Sequence, residues 1–313
     1  MNNVQLCQIA LCSQQIDLTL KFYQAITAFQ SCGGLPIRGE IAARLFNVPH
    51  IEGRSYWMAE GEDFFQLEFF SLQQPEIIAR RPEIDRPGYN LIAFRVKDIG
   101  DVLHRLRAQH FVVHPNEQLI QGVRHVLIRD PDGVLVELVE EPQQPPAVLG
   151  IGITVRDLAD AQCFFSEGFS LTGEEHQPDA REKLWQPAAT PSALLRFSVG
   201  ERWIEVRHCP SDQDDDREAF SLVKSGIANI ALGCSLPETF NALFTQVIAQ
   251  GFTSATQPIS FLEGNNAYLR SGQCLSVELL QLPKHTWGVW GFCKPDPAAQ
   301  QIQEDISRRM LML

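Results

Sequence analysis

Apolar and polar positions follow two patterns along the chain, one with the period of a helix and one with the period of a strand. Helical spacing predicts amphipathic helices at 17–29, 99–109, 158–165, 237–250 and 298–312. Alternation predicts strands and hairpins at 5–13, 55–58, 64–72, 91–96, 126–140, 149–155, 194–208, 227–232 and 267–282. An order of one strand, one helix and further strands recurs four times. The pattern therefore predicts an α+β fold made of four βαβββ modules.

The hairpin at 126–140, with the sequence VLIRDPDGVLVELVE, combines turn chemistry with a candidate functional side chain. Pro131 fixes φ and Gly133 tolerates a positive φ, so the Asp-Pro-Asp-Gly segment favours a tight turn. Beyond the turn, alternation places Glu137 between aliphatic residues on one face of the strand. Such an acid either reaches water from an edge strand or is enclosed and must be paired, protonated or bound to a ligand.

The predicted hairpins form an internal repeat. Four glutamates occupy the same place in four hairpins: Glu68, Glu137, Glu205 and Glu278. Successive glutamates are separated by 69, 68 and 73 residues. The residues that open the first strand of each module correspond in the same way: Gln8, Leu91, Gly150 and Asn229. A period of about 70 residues indicates a repeated supersecondary unit.

The Arg-Asp-Pro-Asp-Gly turn, followed by apolar residues and Glu-Leu, resembles the closing hairpin of the vicinal oxygen chelate superfamily. That superfamily includes glyoxalase I, bleomycin-resistance proteins and extradiol ring-cleaving dioxygenases. The resemblance implies two glyoxalase/bleomycin-resistance-type cup domains, each formed by consecutive modules, at 1–141 and 148–283, with a linker at 142–147. The tail, 284–313, lies outside the resemblance and is expected to dock over a cup mouth or onto a neighbouring subunit.

In metal-binding members of the superfamily, each cup takes ligands from two strand-opening residues, usually histidines, and from two closing acids. The resemblance therefore assigns Gln8, Glu68, Leu91 and Glu137 to the first cup, and Gly150, Glu205, Asn229 and Glu278 to the second. Every histidine is replaced, which disfavours the iron-dependent chemistry of a two-histidine, one-carboxylate site. We expect no cofactor; the alternative is a divalent metal ion (Mg, Mn, Ni, Zn or Fe) held by Gln8, Glu68 and Glu137. His125 is a further ligand candidate.

Side chains near the acids suggest how a small molecule is held. Paired buried acids share a proton, which suits Glu68 and Glu137 to acid–base catalysis. An aromatic wall with a few polar groups is typical of a small-molecule pocket, and the predicted ligand-binding residues are Phe70, Trp203, Glu205, Arg207, Asn229 and Glu278. We therefore expect a metal-independent binding protein or enzyme for a small aromatic molecule. The alternatives are a metal-dependent lyase or isomerase of glyoxalase type, a ring-cleaving dioxygenase, or a catalytically silent scaffold subunit.

Composition and net charge limit the classes of molecule that the protein is expected to bind. A net charge of −12 on 313 residues disfavours nucleic acids and anionic membranes. No apolar run is long enough to span a bilayer, and no basic segment at the N-terminus indicates a signal peptide. We expect a cytoplasmic protein whose eight scattered cysteines are reduced. The acidic run at 211–217 predicts a solvated loop, and a homodimer remains open.

Overall fold

The computed structural model describes residues 4–59, 61, 63–176, 181, 184, 193–208, 221–273 and 275–312. The acidic run at 211–217 lies outside these residues. Within them, the chain has the α+β composition that the sequence predicts, with strands arranged in two sheets. No helix in the described part of the chain is long and apolar enough to cross a membrane.

The elements follow the predicted order. The strands before the linker are Gln5–Cys12 (β1), Gln30–Ser31 (β2), Pro36–Arg38 (β3), Glu52–Ala59 (β4), Gln66–Gln74 (β5), Gly88–Val96 (β6), Asn116–Ile120 (β7), Val123–Arg129 (β8) and Leu135–Glu140 (β9). The later strands are Ala147–Val155 (β10), Gly173–His176 (β11), Leu194–Val199 (β12), Arg202–His208 (β13), Gly226–Cys234 (β14), Thr253–Ser254 (β15), Ile259–Phe261 (β16), Gly264–Arg270 (β17) and Ser276–Gln281 (β18). The helices are Ile16–Ile26 (α1), Gly39–Phe46 (α2), Ile99–Ala108 (α3), Leu158–Cys163 (α4), Pro237–Ala249 (α5) and Pro297–Met312 (α6). Five of these helices lie where apolar spacing predicts them, and α2 has no predicted counterpart.

The two sheets pair modules that are not consecutive in sequence. The first sheet has the order β15-β17-β18-β14-β1-β5-β4-β2, with β3 on β4 and β16 on β17, and it joins modules one and four. The second has the order β11-β12-β13-β10-β6-β9-β8-β7 and joins modules two and three. We call the first sheet with its pocket the terminal cup and the second the central cup. The expectation that consecutive modules build each cup is therefore wrong for the strand pairing.

Connection lengths account for this pairing. Residues 141–146 alone join β9 to β10, which keeps modules two and three in one sheet. Longer connections, 75–87 and 209–225, lead from one sheet to the other. A short connection favours neighbouring elements, whereas lengthening a loop costs little additional closure entropy. The repeat defines each module but not its partner, because every module presents the same type of opening strand.

One hydrophobic core joins the two sheets. Tyr23 on α1 contacts Phe69 of the terminal cup and Phe94 of the central cup, with ring centroids 5.4 and 6.0 Å away. The Tyr23 hydroxyl donates to Oδ2 of Asp130 at 3.0 Å, within the Asp-Pro-Asp-Gly turn. That turn has the predicted chemistry, since Gly133 has a φ of 88° and Asp130 Oδ1 accepts two backbone N–H groups. The hairpin at 126–140 thus attaches the central cup to helix α1 of the terminal cup.

Candidate functional site

Both cups place two acids at equivalent points beside a central antiparallel strand pair. The central pair is β1 with β14 in the terminal cup and β6 with β10 in the central cup. A small residue lies in register beside each acid: Ala10 for Glu68, Ala93 for Glu137, Gly152 for Glu205 and Ala231 for Glu278. The two cups therefore share one layout, and their differences arise from the side chains around it.

The observed strand pairing redistributes the predicted site residues. Glu68 and Gln8 share the terminal cup, whereas Glu137 lies on β9 of the central cup. The structure therefore does not bring Glu137 together with Gln8 and Glu68 in one cup, either as the predicted metal set or as the predicted acid–base pair. The predicted ligand-binding residues also divide, with Phe70, Asn229 and Glu278 in the terminal cup and Trp203, Glu205 and Arg207 in the central cup.

The terminal cup encloses a cavity of about 350 Å³. Its wall is mainly aromatic and aliphatic, and includes Trp57, Phe70, Tyr268, Leu280, Trp290 and Met310. The polar side chains that line it are Gln8, Gln66, Glu68, Asn266 and Glu278. A concave apolar wall with a few polar groups is the usual form of a site for a small organic molecule.

Glu68 is partly exposed to this cavity and accepts two hydrogen bonds. Gln8 Nε2 donates to its Oε2 at 2.7 Å, and Trp57 Nε1 donates to its Oε1 at 2.8 Å. Burial, together with repulsion from Glu278, raises the pKa of Glu68 to about 8 despite these two donors. The carboxyl is therefore largely protonated at neutral pH as long as no cation stands next to it.

Glu278 is 5 % exposed and incompletely hydrogen-bonded. Asn266 Nδ2 donates to its Oε1 at 3.3 Å. Among the described residues, no hydrogen bond of normal geometry reaches Glu278 Oε2, Asn266 Oδ1 or either amide atom of Asn229, although Tyr268 and Asn229 lie near enough to lower the pKa of Glu278. Burial raises the pKa of Glu278 to about 7. Buried polar atoms are normally satisfied, so this group of atoms is open to a ligand.

The C-terminal tail completes the terminal cup. Of the two dockings expected for it, the structure shows the one over a cup, because Trp290, Ile306 and Met310 line the cavity. Gln303 on α6 fixes the tail: its Nε2 donates to three backbone carbonyls, including that of Cys32, each at 3.1 Å. The segment outside the repeat thus forms part of the cavity wall.

An arginine fills the central cup between its two acids. Arg181 donates to Glu137 through Nη2 and Nε, at 2.9 and 3.3 Å, and to Glu205 through Nη1, at 3.2 Å. Its guanidinium also lies over Trp203, 5.0 Å from the ring centroid. The indole of Trp203 in turn covers Gly150, where a Cβ atom would overlap it. The protein itself therefore occupies the space between these acids.

Two further arginines and a histidine surround the acids of the central cup. Arg196 and Arg207 donate to Glu205 at 2.5 and 3.0 Å, and His125 Nδ1 lies 2.8 Å from Glu137 Oε1. Although burial alone would raise it, Arg181 and the hydrogen bond with His125 lower the pKa of Glu137 to about 2. The pKa of Glu205 lies below its ordinary value because the surrounding arginines outweigh the effect of burial. Both acids are therefore ionised at neutral pH.

Neither cup fits the transition metals that imidazole-rich sites hold. The terminal cup offers carboxyl and amide groups but no imidazole, and Gln8 turns its N–H toward Glu68. In the central cup, Arg181 already stands between the acids. Across the described ranges, no three His, Cys, Asp or Glu side chains are grouped so that they could hold a metal ion.

Sequence reasoning missed the residues that face the acids across the strands. Trp57 and Tyr268 hold these positions in the terminal cup, and Leu127 and Arg196 hold them in the central cup. An alignment of the four repeats would have placed them in one column. Arg181 lies outside the repeated strands, and no pattern in the sequence marks it.

Comparisons with known proteins agree with this architecture. The sequence model of the Glyoxalase/Bleomycin resistance protein/Dioxygenase superfamily matches residues 5–138. No curated protein matches the chain. A putative dioxygenase from Bacillus subtilis has a similar structure, with a TM-score of 0.63 at 13% identity over 96% of this chain and 95% of that one. Glyoxalase I from Zea mays has a TM-score of 0.62 at 12% identity over 90% of this chain and 93% of that one.

The family match and the structural similarity each include strands from both cups. The matched segment contains modules one and two, so it contributes strands to both sheets. The structural similarity extends over all four modules, and at such low identity it shows the fold alone. The resemblance expected from the hairpins is confirmed over the matched segment: residues 5–138 fit the glyoxalase/bleomycin resistance/dioxygenase superfamily, and the four modules together have the glyoxalase fold.

Proposed function

We propose that the protein binds a small, largely apolar organic molecule in the terminal cup, without a metal ion. The observation that carries the proposal is the cavity of about 350 Å³, whose wall is mainly aromatic and whose polar atoms are few and partly unsatisfied. Aromatic side chains offer large, rigid contact surfaces, and a small number of polar groups fixes the orientation of a ligand.

The central cup supports this choice of site by contrast. Its acids are neutralised by Arg181, Arg196 and Arg207. A cavity of about 400 Å³ at its edge is lined by Leu127, Leu135 and other side chains but does not include the acids. A ligand would have to displace a buried ion-pair network to enter there, which is costly. The central cup is therefore assigned a structural role.

A second candidate function is metal-independent acid–base catalysis in the same cavity. It is favoured by the pKa values of Glu68 and Glu278, raised to about 8 and about 7. Groups that titrate near neutral pH exchange protons efficiently with a bound substrate, as an isomerase or lyase requires. Turnover that is lost in both Glu68→Gln and Glu278→Gln, while binding persists, would establish catalysis; turnover that survives both changes would exclude it.

The proposed binding site is tested with a matched pair of variants on α6. Ile306 lines the cavity, whereas Ile302, one turn earlier, is 36% exposed. Thermal shift and calorimetry with a panel of one- and two-ring aromatic molecules should detect binding to the parent chain. Ile306→Trp, which fills the cavity, should abolish the response, and Ile302→Trp should retain it. An equal response in both variants would place binding elsewhere.

Metal independence is tested on the same preparations. Metal content is measured on protein purified without chelator, and the ligand panel is repeated after exhaustive chelation. The proposal expects unchanged binding. Loss of binding on chelation, restored by one divalent ion per chain, would instead support a metal-dependent lyase or isomerase of glyoxalase type.

A further inference from the structure

The central cup shows which chemical group fits between two acids of this layout. Arg181 reaches both Glu137 and Glu205, and its planar cation lies over the face of Trp203. Two carboxylates and an aromatic face together make a recognition site for an organic cation. In this cup the cation belongs to the chain itself.

The terminal cup has the same two acids without such a cation. Glu68 and Glu278 occupy the register positions that Glu137 and Glu205 hold in the other sheet. Among the described residues, no arginine, lysine or histidine forms an ion pair with either acid or lowers its pKa. The uncompensated pair opens onto a cavity instead of being closed by a side chain.

Other groups around this pair also suit a cation. Among the described residues, no hydrogen bond of normal geometry satisfies the acceptors Glu278 Oε2 and Asn266 Oδ1. Trp57, Tyr268 and Trp290 place three aromatic rings along the same cavity. Acceptors beside aromatic faces bind ammonium and guanidinium groups, because the ring quadrupole and the carboxylate attract the same positive charge.

We propose that the ligand of the terminal cup carries an organic cation, a protonated amine or guanidinium on an aromatic or aliphatic body, and that this cation lies between Glu68 and Glu278. The inference rests on the proposed binding function and adds the chemical class of the ligand. The cation would take in the terminal cup the place that Arg181 takes in the central cup.

Binding of a cation should be linked to proton release. Within the terminal cup both acids have raised pKa values, about 8 for Glu68 and about 7 for Glu278, so a cation must displace protons to form ion pairs. Affinity should therefore rise as pH increases from 6 to 8. Two other titratable groups interact with Glu278, namely Tyr268 and Cys7. Both remain neutral in this pH window, because burial raises the pKa of each well above its ordinary value.

The experiment uses three aromatic scaffolds (phenyl, naphthyl and indolyl), each as the methylamine, the neutral methanol and the carboxylate. Dissociation constants are measured by calorimetry on the parent chain at pH 6, 7 and 8, in two buffers of different ionisation enthalpy to count protons. For at least one scaffold, the amine should bind at least about tenfold more tightly than the alcohol, and it should release protons. The carboxylate should bind most weakly.

Variants separate charge recognition from simple burial. Glu278→Gln keeps the shape of the side chain and should reduce the preference for the amine over the alcohol to near unity, and Glu68→Gln should weaken it. The exposed Glu201→Gln is the surface control and should retain the parent preference. Melting temperatures of all variants verify that they fold.

Each outcome bears on a different claim. Equal affinity of amine and alcohol, or a preference for the carboxylate, would overturn the inference while leaving the binding function intact. An amine preference that persists in both Glu→Gln variants would also overturn it, because the cation would then lie elsewhere. If none of the three charge types binds on any scaffold, the proposed function fails and the inference fails with it.

Discussion

The two cups of this protein share one arrangement of strands and acids, but the acids have opposite charge states. Each has a central antiparallel strand pair and two acids beside small residues. In the central cup, Arg181 and His125 outweigh the effect of burial, and the pKa of Glu137 falls to about 2. In the terminal cup, burial acts without a nearby cation, and the pKa of Glu68 rises to about 8. The state of an acid pair in this fold is therefore set by what stands between the acids, not by the strands that carry them.

The largest effect on this contrast is expected when Arg181, the cation between the two acids of the central cup, is removed. Arg181→Ala leaves Glu137 and Glu205 with fewer buried partners, and removing one member of a buried ion pair costs about 4 kcal/mol. We expect a loss of this size in the free energy of unfolding, measured by urea denaturation at pH 7. A change below about 1 kcal/mol, the worth of a surface ion pair, would show that Arg181 is not the main partner of these acids.

A second test compares equivalent acids across the two cups. Glu137 is ionised and fully buried, and its pKa falls from 4.5 to about 2, so Glu137→Gln should cost about 3 kcal/mol at pH 7. Glu68→Gln, at the equivalent position, should leave stability at pH 7 unchanged or higher, because the parent carboxyl is largely neutral. Similar losses in both variants would contradict the assigned charge states.

The pH dependence of stability gives a third test, with opposite signs in the two cups. The folded pKa of Glu68 is raised, so its contribution is complete below pH 4.5 and is lost as pH rises to about 8. We expect the parent to lose about 2 kcal/mol in this window, an amount reduced because Glu68 is partly exposed to the cavity. Glu137 has a depressed pKa, so its contribution is present above pH 4.5 and is lost toward pH 2. Unfolding curves of Glu68→Gln should show a smaller first loss, because Glu278 and Asp130, whose pKa values are each raised to about 7, still contribute to it, and they should retain the second loss in full.

The smallest expected effect is a loss of stability when the C-terminal tail, which forms part of the wall of the terminal cup, is altered. Ile306→Ala removes an apolar side chain that lines the cavity and should cost about 1 kcal/mol, because the side chain is only partly enclosed. Ile302→Ala on the same helix is the matched control and should cost less. Chemical denaturation of both variants, with the parent alongside, measures the difference. A larger loss in Ile302→Ala would mean that α6 docks through its other face.

The sequence predicts the modules well because their cause is local. Alternating apolar positions and the Asp-Pro-Asp-Gly turn determine each hairpin, and the spacing of Glu68, Glu137, Glu205 and Glu278 determines the repeat. The partner of each module depends instead on the length of the connections, and the short segment 141–146 already favoured the observed pairing. The ligand sets of the two cups were therefore mixed, although every acid was identified.

The site was less predictable because its decisive contacts are long-range. Arg181 meets Glu137 across 44 residues of sequence, and Trp290 reaches the cavity from a segment outside the repeat. No local pattern indicates such contacts. The aromatic partners Trp57 and Tyr268 were accessible in principle, since they hold the same column of the repeat.

The pairing of modules one and four also has a consequence for the order in which the protein can fold during synthesis. Strand β1 lies in the middle of its sheet, yet its neighbour β14 begins only at Gly226. The ribosome therefore produces all the strands of the central cup while β1 still has one unpaired edge, which is a template for aggregation. We expect nascent chains that end near residue 225 to need protection at this edge and to become protease-resistant there only after the last module emerges.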